Sequence, residues 1–242
     1  MPKARGFTAT FGKGGIYMEF NIIQDYFSDT MPPSVTYAEK GVYLYKDITP
    51  IYSLNNPEEI VSYQCLRQCV RQEFESREVV EGNFDLIWKA YGECGYDGNI
   101  LTDSIETVMN FWQNKNLDDF NQFLKENPLL YIDGNYYGVE EIDRNEMSQQ
   151  FLSYQVKEKA GLNPTSIQWH NKKKACKKFT LEDFLTLTLA IEQYTLPYYN
   201  LMQSRKEAIF NCTDKIDVFK IPITYKVSEN TKGESVDEET SI

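Results

Sequence analysis

The sequence predicts an α+β protein with a β-rich N-terminal segment, central helices and a C-terminal domain of two β-hairpins, a capped helix and a long last helix. Short β-rich runs bounded by turn residues predict the strands, and apolar residues at helical spacing predict the helices. Both patterns recur in the C-terminal half. The predicted regions are a flexible basic arm (1–17), an N-terminal α+β region (18–127), a C-terminal α+β domain (128–213), and a strand with an acidic disordered tail (214–242).

The N-terminal region begins with predicted strands at residues 16–20 and 42–45, which turn residues interrupt. Asn56 can then cap a helix that has Pro57 at its first position and Glu59 at its third. Four apolar residues follow at helical spacing: Tyr63, Leu66, Val70 and Phe74. The sequence therefore predicts a helix after Asn56.

The central helices are predicted within residues 83–125, in two pieces separated by a loop with Gly92, Gly95 and Gly98. This glycine spacing lacks the Gly-x-Gly start of a dinucleotide-binding turn, and no Walker sequence is present. The sequence therefore predicts no nucleotide cofactor.

Two hairpins are predicted in the C-terminal domain, one from residues 129–132 and 136–139 and one from residues 166–170 and 175–179. Asp143 is the predicted cap of the helix between them. Thr180 is the predicted cap of the last helix, which Pro197 should kink or end halfway. The predicted buried side of that helix consists of Leu181, Phe184, Leu185, Thr188, Ile191, Tyr198, Met202, Ile209 and Phe210.

This order of hairpin, capped helix, Trp-containing hairpin and Thr-capped helix resembles a known domain family of unknown function. That family occurs near the C-termini of bacteriophage and prophage tail-fibre and tail-fibre-assembly proteins. The segments that carry the resemblance are residues 131–134, 142–144, 167–169, 179–184 and 204–209. The resemblance implies a fibre component, baseplate component or assembly chaperone in the virion tail or bacterial host cytoplasm. It implies phage tail or fibre proteins as partners and assembly into a homo-oligomer such as a trimer, and it supplies no catalytic residue.

Composition argues against most catalytic classes. The net charge of −11 disfavours nucleic acid and anionic membranes. A single histidine argues against histidine-dependent catalysis and multi-histidine metal centres. Cys65 and Cys69 stand four residues apart on the predicted helix, but a structural zinc site usually needs four ligands. The sequence predicts a non-enzymatic protein with no cofactor, no metal and no membrane-spanning helix.

The strongest charge feature is a lysine-rich hairpin tip beside Trp169, formed by Lys172, Lys173, Lys174, Lys177 and Lys178. It can be a solvated turn that discourages strand pairing, or it can bind an acidic protein partner, phosphate or the acidic tail of its own chain. In the binding interpretation, Trp169 and these lysines are the predicted partner-binding residues, and the net charge favours an acidic protein partner over nucleic acid. The acid pairs Asp118–Asp119 and Glu140–Glu141 are predicted to be helix-entry charges.

Two other functions are consistent with the sequence. The first is a carbohydrate-binding adhesin in which exposed Tyr and Trp side chains stack on host glycans. The second is a hydrolase, which needs two carboxylates roughly 5 to 9 Å apart in a cleft.

Overall fold

A computed structural model of the protein describes residues 23–38, 41–172 and 176–227. Helices (47%) and antiparallel strands (21%) are both present, which confirms the predicted α+β class. The chain divides into an N-terminal unit, residues 1–101, and a C-terminal unit, residues 102–242. The predicted basic arm, the strand at residues 16–20 and the acidic tail from residue 228 lie outside the described residues.

The described residues of the N-terminal unit form a four-stranded antiparallel sheet with the strand order β1-β4-β3-β2. Its strands are β1 (Ile23–Ser28), β2 (Val35–Ala38), β3 (Gly41–Tyr52) and β4 (Ile60–Val70). Alternate residues bury one face of the sheet, including Val42 and Leu44 on β3 and Gln68 and Val70 on β4. Gly41 is required where β3 begins, because a Cβ atom there would lie 2.4 Å from the carbonyl oxygen of Val70.

The predicted helix after Asn56 is wrong, because this segment forms the turn into β4. The side chain of Asn56 accepts a hydrogen bond from the amide of Glu58 at 3.2 Å, and the amide of Ser53 donates to the carbonyl of Glu59 at 2.8 Å. The capping residues therefore close a hairpin turn. β4 then pairs with β1 on one side and β3 on the other, and these long-range hydrogen bonds override the helical spacing.

Short helices follow the sheet in the same unit. They are α1 (Arg77–Gly82), α2 (Phe84–Ile87) and a π-helix (Trp88–Glu93). Ser76 caps α1 by accepting a hydrogen bond from the amide of Val79 at 3.3 Å. Gly92 in the π-helix lies directly against the buried side chain of Gln68, where a Cβ atom would be 2.6 Å from Oε1.

The C-terminal unit contains four helices and two small hairpins within its described residues. These are α3 (Ile105–Glu126), β5 (Leu129–Leu130), β6 (Tyr136–Tyr137), α4 (Glu141–Lys159), β7 (Ile167–Trp169), β8 (Lys177–Phe179), α5 (Leu181–Phe210) and α6 (Lys215–Lys220). Both predicted hairpins are confirmed, since β5 pairs with β6 and β7 with β8. Thr180 caps α5 as predicted, because its Oγ1 accepts from the amide of Asp183 at 3.1 Å.

Helix α3 belongs to the C-terminal unit, whereas the N-terminal region predicted from the sequence includes this helix and ends at residue 127. The physical reason is that α3 packs against α5. The rings of Phe123 and Tyr198 lie 4.6 Å apart, and the buried side chain of Asn116 donates to the carbonyl of Met202 at 3.2 Å. The division of the chain therefore falls at 101/102.

Other local predictions for this unit differ from the structure. Helix α4 begins after Glu140, and Asp143 occupies its third position, where its Oδ2 accepts from the amide of Glu140 at 3.1 Å. The strand predicted from residue 214 is instead helix α6, which Asp214 caps by accepting from the amide of Ile216 at 2.9 Å. Asp143 therefore indicated the right helix but the wrong capping position, whereas the helix that begins after Asp214 was predicted as a strand.

The long helix α5 continues through Pro197 instead of ending there. Its buried side contains most of the predicted positions, with Phe184 and Ile191 each 1% exposed. Leu185 and Phe210 were predicted to be buried but are 39% and 72% exposed. Phe184 and Ile191 join Tyr137 and Trp169 in one continuous core of the C-terminal unit.

Candidate binding surfaces

The two hairpins of the C-terminal unit are joined by polar contacts at their turns. Lys177 Nζ contacts Asp133 Oδ2 at 2.8 Å. Asn171 Nδ2 donates to Asn135 Oδ1 at 2.9 Å. The amide of Lys172 donates to the carbonyl of Tyr136 at 2.9 Å. The region that carries the predicted lysine cluster is therefore a joint between two hairpins.

The lysines of the predicted cluster have different environments. Lys172 Nζ donates to the carbonyl of Lys125 at 2.8 Å and to Glu140 Oε1 at 3.1 Å, so part of its charge is neutralised within the unit. Lys177 is paired with Asp133, as described above, whereas Lys178 is exposed. Lys173 and Lys174 lie outside the described residues. Lys172 and Lys177 thus make polar contacts within the C-terminal unit, whereas Lys178 is an exposed cation.

Trp169 was predicted to contribute to partner binding, but it is only 4% exposed. Its ring lies 4.8 Å from the ring of His170 and 6.3 Å from that of Phe184. Its burial in the core places it beneath the surface that a partner would contact.

Asp133 provides the negative charge at the contact between the two hairpins. Burial on its own raises the pKa of a carboxyl group. The hydrogen bonds from Lys177, Asn135 and Tyr137 outweigh that effect and hold the pKa of Asp133 well below its usual range. The ionised carboxylate therefore accepts hydrogen bonds from both hairpins at neutral pH.

The first hairpin also presents exposed apolar side chains. Leu130 and Tyr136 are directly paired across the hairpin and are 56% and 53% exposed, and Ile132 at its turn is 90% exposed. We call these three residues the hairpin surface. A cluster of exposed apolar side chains is typical of protein–protein contact sites.

A second candidate surface lies on the sheet of the N-terminal unit. The guanidinium of Arg67 lies 4.3 Å from the ring of Tyr26 and 5.3 Å from that of Tyr43. Tyr45 pairs directly with Arg67 across the strands, and its ring is 5.7 Å from that of Tyr26. We call these four residues the tyrosine–arginine face. Arg67 makes no ion pair with the described residues, so cation–π contacts position it.

Sequence reasoning missed the tyrosine–arginine face because it placed Arg67 on a helix. In a strand, side chains alternate between the two faces, so the register that pairs Tyr26 with Cys65 and Tyr43 with Cys69 also places Arg67 beside both tyrosines. The available signal was the β-rich run Ile60, Val61 and Tyr63, which follows a turn-forming Asn-Pro pair.

The cysteines and one of the two acid pairs take positions other than those predicted. Cys65 and Cys69 lie on β4, where four residues span roughly 13 Å. Burial raises the pKa of both thiols, which favours their protonated form at neutral pH. Asp118 and Asp119 lie inside α3 and are not helix-entry charges, whereas Glu140 and Glu141 do mark the start of α4.

Among residues 23–38, 41–172 and 176–227, no three His, Cys, Asp or Glu side chains are grouped so that they could hold a metal ion. None of the described helices is both long and apolar enough to span a membrane. No protein-family model, curated protein or solved structure matches the chain.

Proposed function

We propose that this chain is a non-enzymatic bacteriophage or prophage tail-region protein, a fibre or baseplate component or a fibre-assembly chaperone, that acts through protein–protein contacts. The observation that carries the proposal is the order of elements from β5 to α5. The segments on which the resemblance depends form a hairpin, a capped helix, a second hairpin and a Thr-capped long helix. This is the element order expected from the resemblance.

The hairpin surface supports a binding role for this domain. Its apolar residues belong to a hairpin that is held in place by Lys177–Asp133 and Asn171–Asn135 contacts. A rigid surface loses little conformational entropy when a partner binds. We propose that a tail or fibre protein docks on Leu130, Ile132 and Tyr136.

Co-expression with a tail-fibre protein encoded in the same genome, followed by affinity purification, tests the proposal. We expect the fibre protein to co-purify with the wild-type chain and to be lost with Ile132→Asp. Leu162→Asp is the matched control, because Leu162 is 70% exposed but lies after α4, outside the hairpin surface. Absence of any tail-protein partner, together with absence of the chain from purified virions, would overturn the proposal.

The tyrosine–arginine face favours carbohydrate binding as a second candidate function. Tyrosine rings can stack on the apolar C–H faces of sugar rings, and a guanidinium binds carboxylates in a two-pronged geometry. Arg67, held beside two of these rings, suits a saccharide that carries a carboxylate. The buried Trp169 named in the sequence analysis has no part in this candidate.

Binding to an array that includes uronic acid-containing oligosaccharides tests this second candidate. We expect signal for the wild-type chain and its loss with Tyr26→Ala and with Arg67→Gln. Tyr52→Ala is the matched control, because Tyr52 is 50% exposed on the same sheet but lies at the far end of β3. An array without signal for the wild-type chain would reject carbohydrate binding by this face.

A further inference from the structure

A cleft of about 520 Å³ lies in the C-terminal unit, where the end of α3 meets the turns of the two hairpins. Its described lining includes Lys125 from α3, Pro128 and Tyr136 from the first hairpin and its approach, and Asn171 and Lys172 from the second hairpin. We call it the inter-hairpin cleft. Small-molecule sites usually have volumes of roughly 300 to 1,000 Å³, so a cleft of this size can hold a small ligand.

One polar side chain of the inter-hairpin cleft has an acceptor atom that the fold leaves unused. Asn171 is only 9% exposed, and its Nδ2 donates to Asn135 Oδ1 at 2.9 Å. Its Oδ1 is buried and has no hydrogen-bond partner among the described residues. Buried polar atoms are nearly always paired with a protein group, a water or a ligand. Asn171 therefore suits a ligand that carries an O–H or N–H group.

The charges of the inter-hairpin cleft favour an uncharged ligand. An ionised carboxylate has no hydrogen to donate, so it cannot pair with Asn171 Oδ1. The charges of the described lining also cancel. Lys172 pairs with Glu140 at 3.1 Å, and Lys125 is accompanied by Glu126. The described part of the cleft thus has no excess charge that would attract an ion.

A hydrogen-bond donor lies on the residue after this acceptor. Lys172 Nζ donates to the carbonyl of Lys125 at 2.8 Å and to Glu140 Oε1 at 3.1 Å. An ammonium group has three N–H bonds, so one of them is left for a ligand oxygen. Two neighbouring hydroxyl groups can donate to Asn171 and accept from Lys172. A trans peptide unit is a poorer match, because its N–H and C=O point in opposite directions.

We infer that the inter-hairpin cleft binds an uncharged pyranose sugar. Tyr136 is 53% exposed, and its ring packs on the apolar C–H face of the sugar, while Pro128 adds a second apolar surface. Two neighbouring hydroxyls pair with Asn171 Oδ1 and Lys172 Nζ. This inference does not depend on the tail assignment. It also differs from the second candidate function, because the tyrosine–arginine face suits saccharides that carry a carboxylate.

Saturation-transfer difference NMR of the full chain with the methyl pyranosides of glucose, galactose and mannose tests the inference. We expect the wild-type chain to bind at least one of these sugars. Tyr136→Ala and Asn171→Ala should each raise the dissociation constant by about fivefold or more. Absence of binding to the wild-type chain overturns the inference. Unchanged binding by Tyr136→Ala also overturns it, even if Asn171→Ala fails to fold, because Tyr136 is an exposed position.

Three further variants separate the inter-hairpin cleft from other surfaces. Tyr37→Ala is the matched control for Tyr136→Ala, because Tyr37 is 45% exposed but lies on β2 of the N-terminal unit. It should bind the sugar like the wild type. Ile132→Asp, which tests fibre docking, should also leave sugar binding unchanged, because Ile132 is not among the described lining residues. Sugar binding that is lost with Arg67→Gln and kept with Tyr136→Ala would place the sugar on the tyrosine–arginine face and overturn the inference.

Discussion

Each unit of the molecule buries an amide side chain, Asn116 in one and Gln68 in the other, and the two side chains differ in their hydrogen bonds. Asn116 in the C-terminal unit is 1% exposed; its Nδ2 donates to the carbonyl of Met202 at 3.2 Å, and its Oδ1 accepts from the hydroxyl of Tyr225 at 2.6 Å. Gln68 in the N-terminal unit is fully buried, and neither of its polar atoms has a hydrogen-bond partner among the described residues. Asn116 thus connects α3 to α5 and the segment after α6, whereas Gln68 fills space against Gly92.

Substitution of Asn116 should change the stability of the protein more than any other substitution proposed below. Asn116→Ala should lower the free energy of unfolding by about 2 to 4 kcal/mol, because it removes the hydrogen bonds to the carbonyl of Met202 and the half-buried hydroxyl of Tyr225 and opens a cavity. Urea denaturation followed by far-UV circular dichroism measures the change. Asn121→Ala, an exposed position on the same helix, should stay within about 0.5 kcal/mol of the wild type. Equal effects of the two variants would show that the hydrogen bonds of Asn116 do not stabilise the packing of α3 on α5.

Gln68 should respond in the opposite direction. Gln68→Met keeps the length of the side chain and removes two unsatisfied polar atoms, so it should raise the free energy of unfolding by about 1 to 2 kcal/mol. Gln64→Met, at an exposed position on the same strand, controls for a general effect of methionine in β4. Destabilisation by Gln68→Met would mean that the amide has a partner, such as a buried water, that compensates for its burial.

The two units also differ in how much of their fold can be predicted from the sequence. In the C-terminal unit, hairpins and caps depend on neighbours a few residues apart, so Thr180, both hairpins and the long helix are predictable. In the N-terminal unit, the capping pattern at Asn56 is equally good locally. Its outcome depends on β1 and β3, which are distant in sequence and provide hydrogen bonds on both sides of β4. A local sequence pattern around Asn56 therefore cannot predict the pairing of β4 with β1 and β3.

The candidate surfaces follow the same rule. The lysine-rich hairpin tip is visible in the sequence, but the pairing of Lys177 with Asp133 and the burial of Trp169 require the packing of one hairpin on another. The tyrosine–arginine face requires the strand register that places Arg67 beside Tyr26 and Tyr43. Composition alone indicates an aromatic-rich chain without locating its surface aromatics.

The two capping patterns provide a third prediction. Thr180→Ala removes the hydrogen bond to the amide of Asp183 at the start of α5 and should cost about 1 kcal/mol. Asn56→Ala removes only an exposed turn contact with Glu58 and should cost less than about 0.5 kcal/mol. Thermal or urea unfolding of both variants measures the difference. A larger cost at Asn56 would indicate that the turn before β4 contributes more to stability than the cap of α5.

The smallest expected effect concerns the ion pair between the hairpins. Since the folded-state pKa of Asp133 lies below its unfolded value, its ionised form stabilises the fold. That contribution is fully present above the unfolded pKa of about 3.9 and is lost as the pH falls toward the lower folded value. Lys177 is more than half exposed, so the pair should contribute less than about 1 kcal/mol at neutral pH.

Urea unfolding midpoints of the wild type and of Asp133→Asn, measured between about pH 2 and pH 7, test this prediction. The variant should be slightly less stable at neutral pH and should lose less stability on acidification. Asp118→Asn, at an exposed position in α3, is the control and should leave the acid dependence closer to that of the wild type. If Asp133→Asn is no less stable at neutral pH, the Asn171–Asn135 and Lys172–Tyr136 hydrogen bonds suffice to hold the hairpins together.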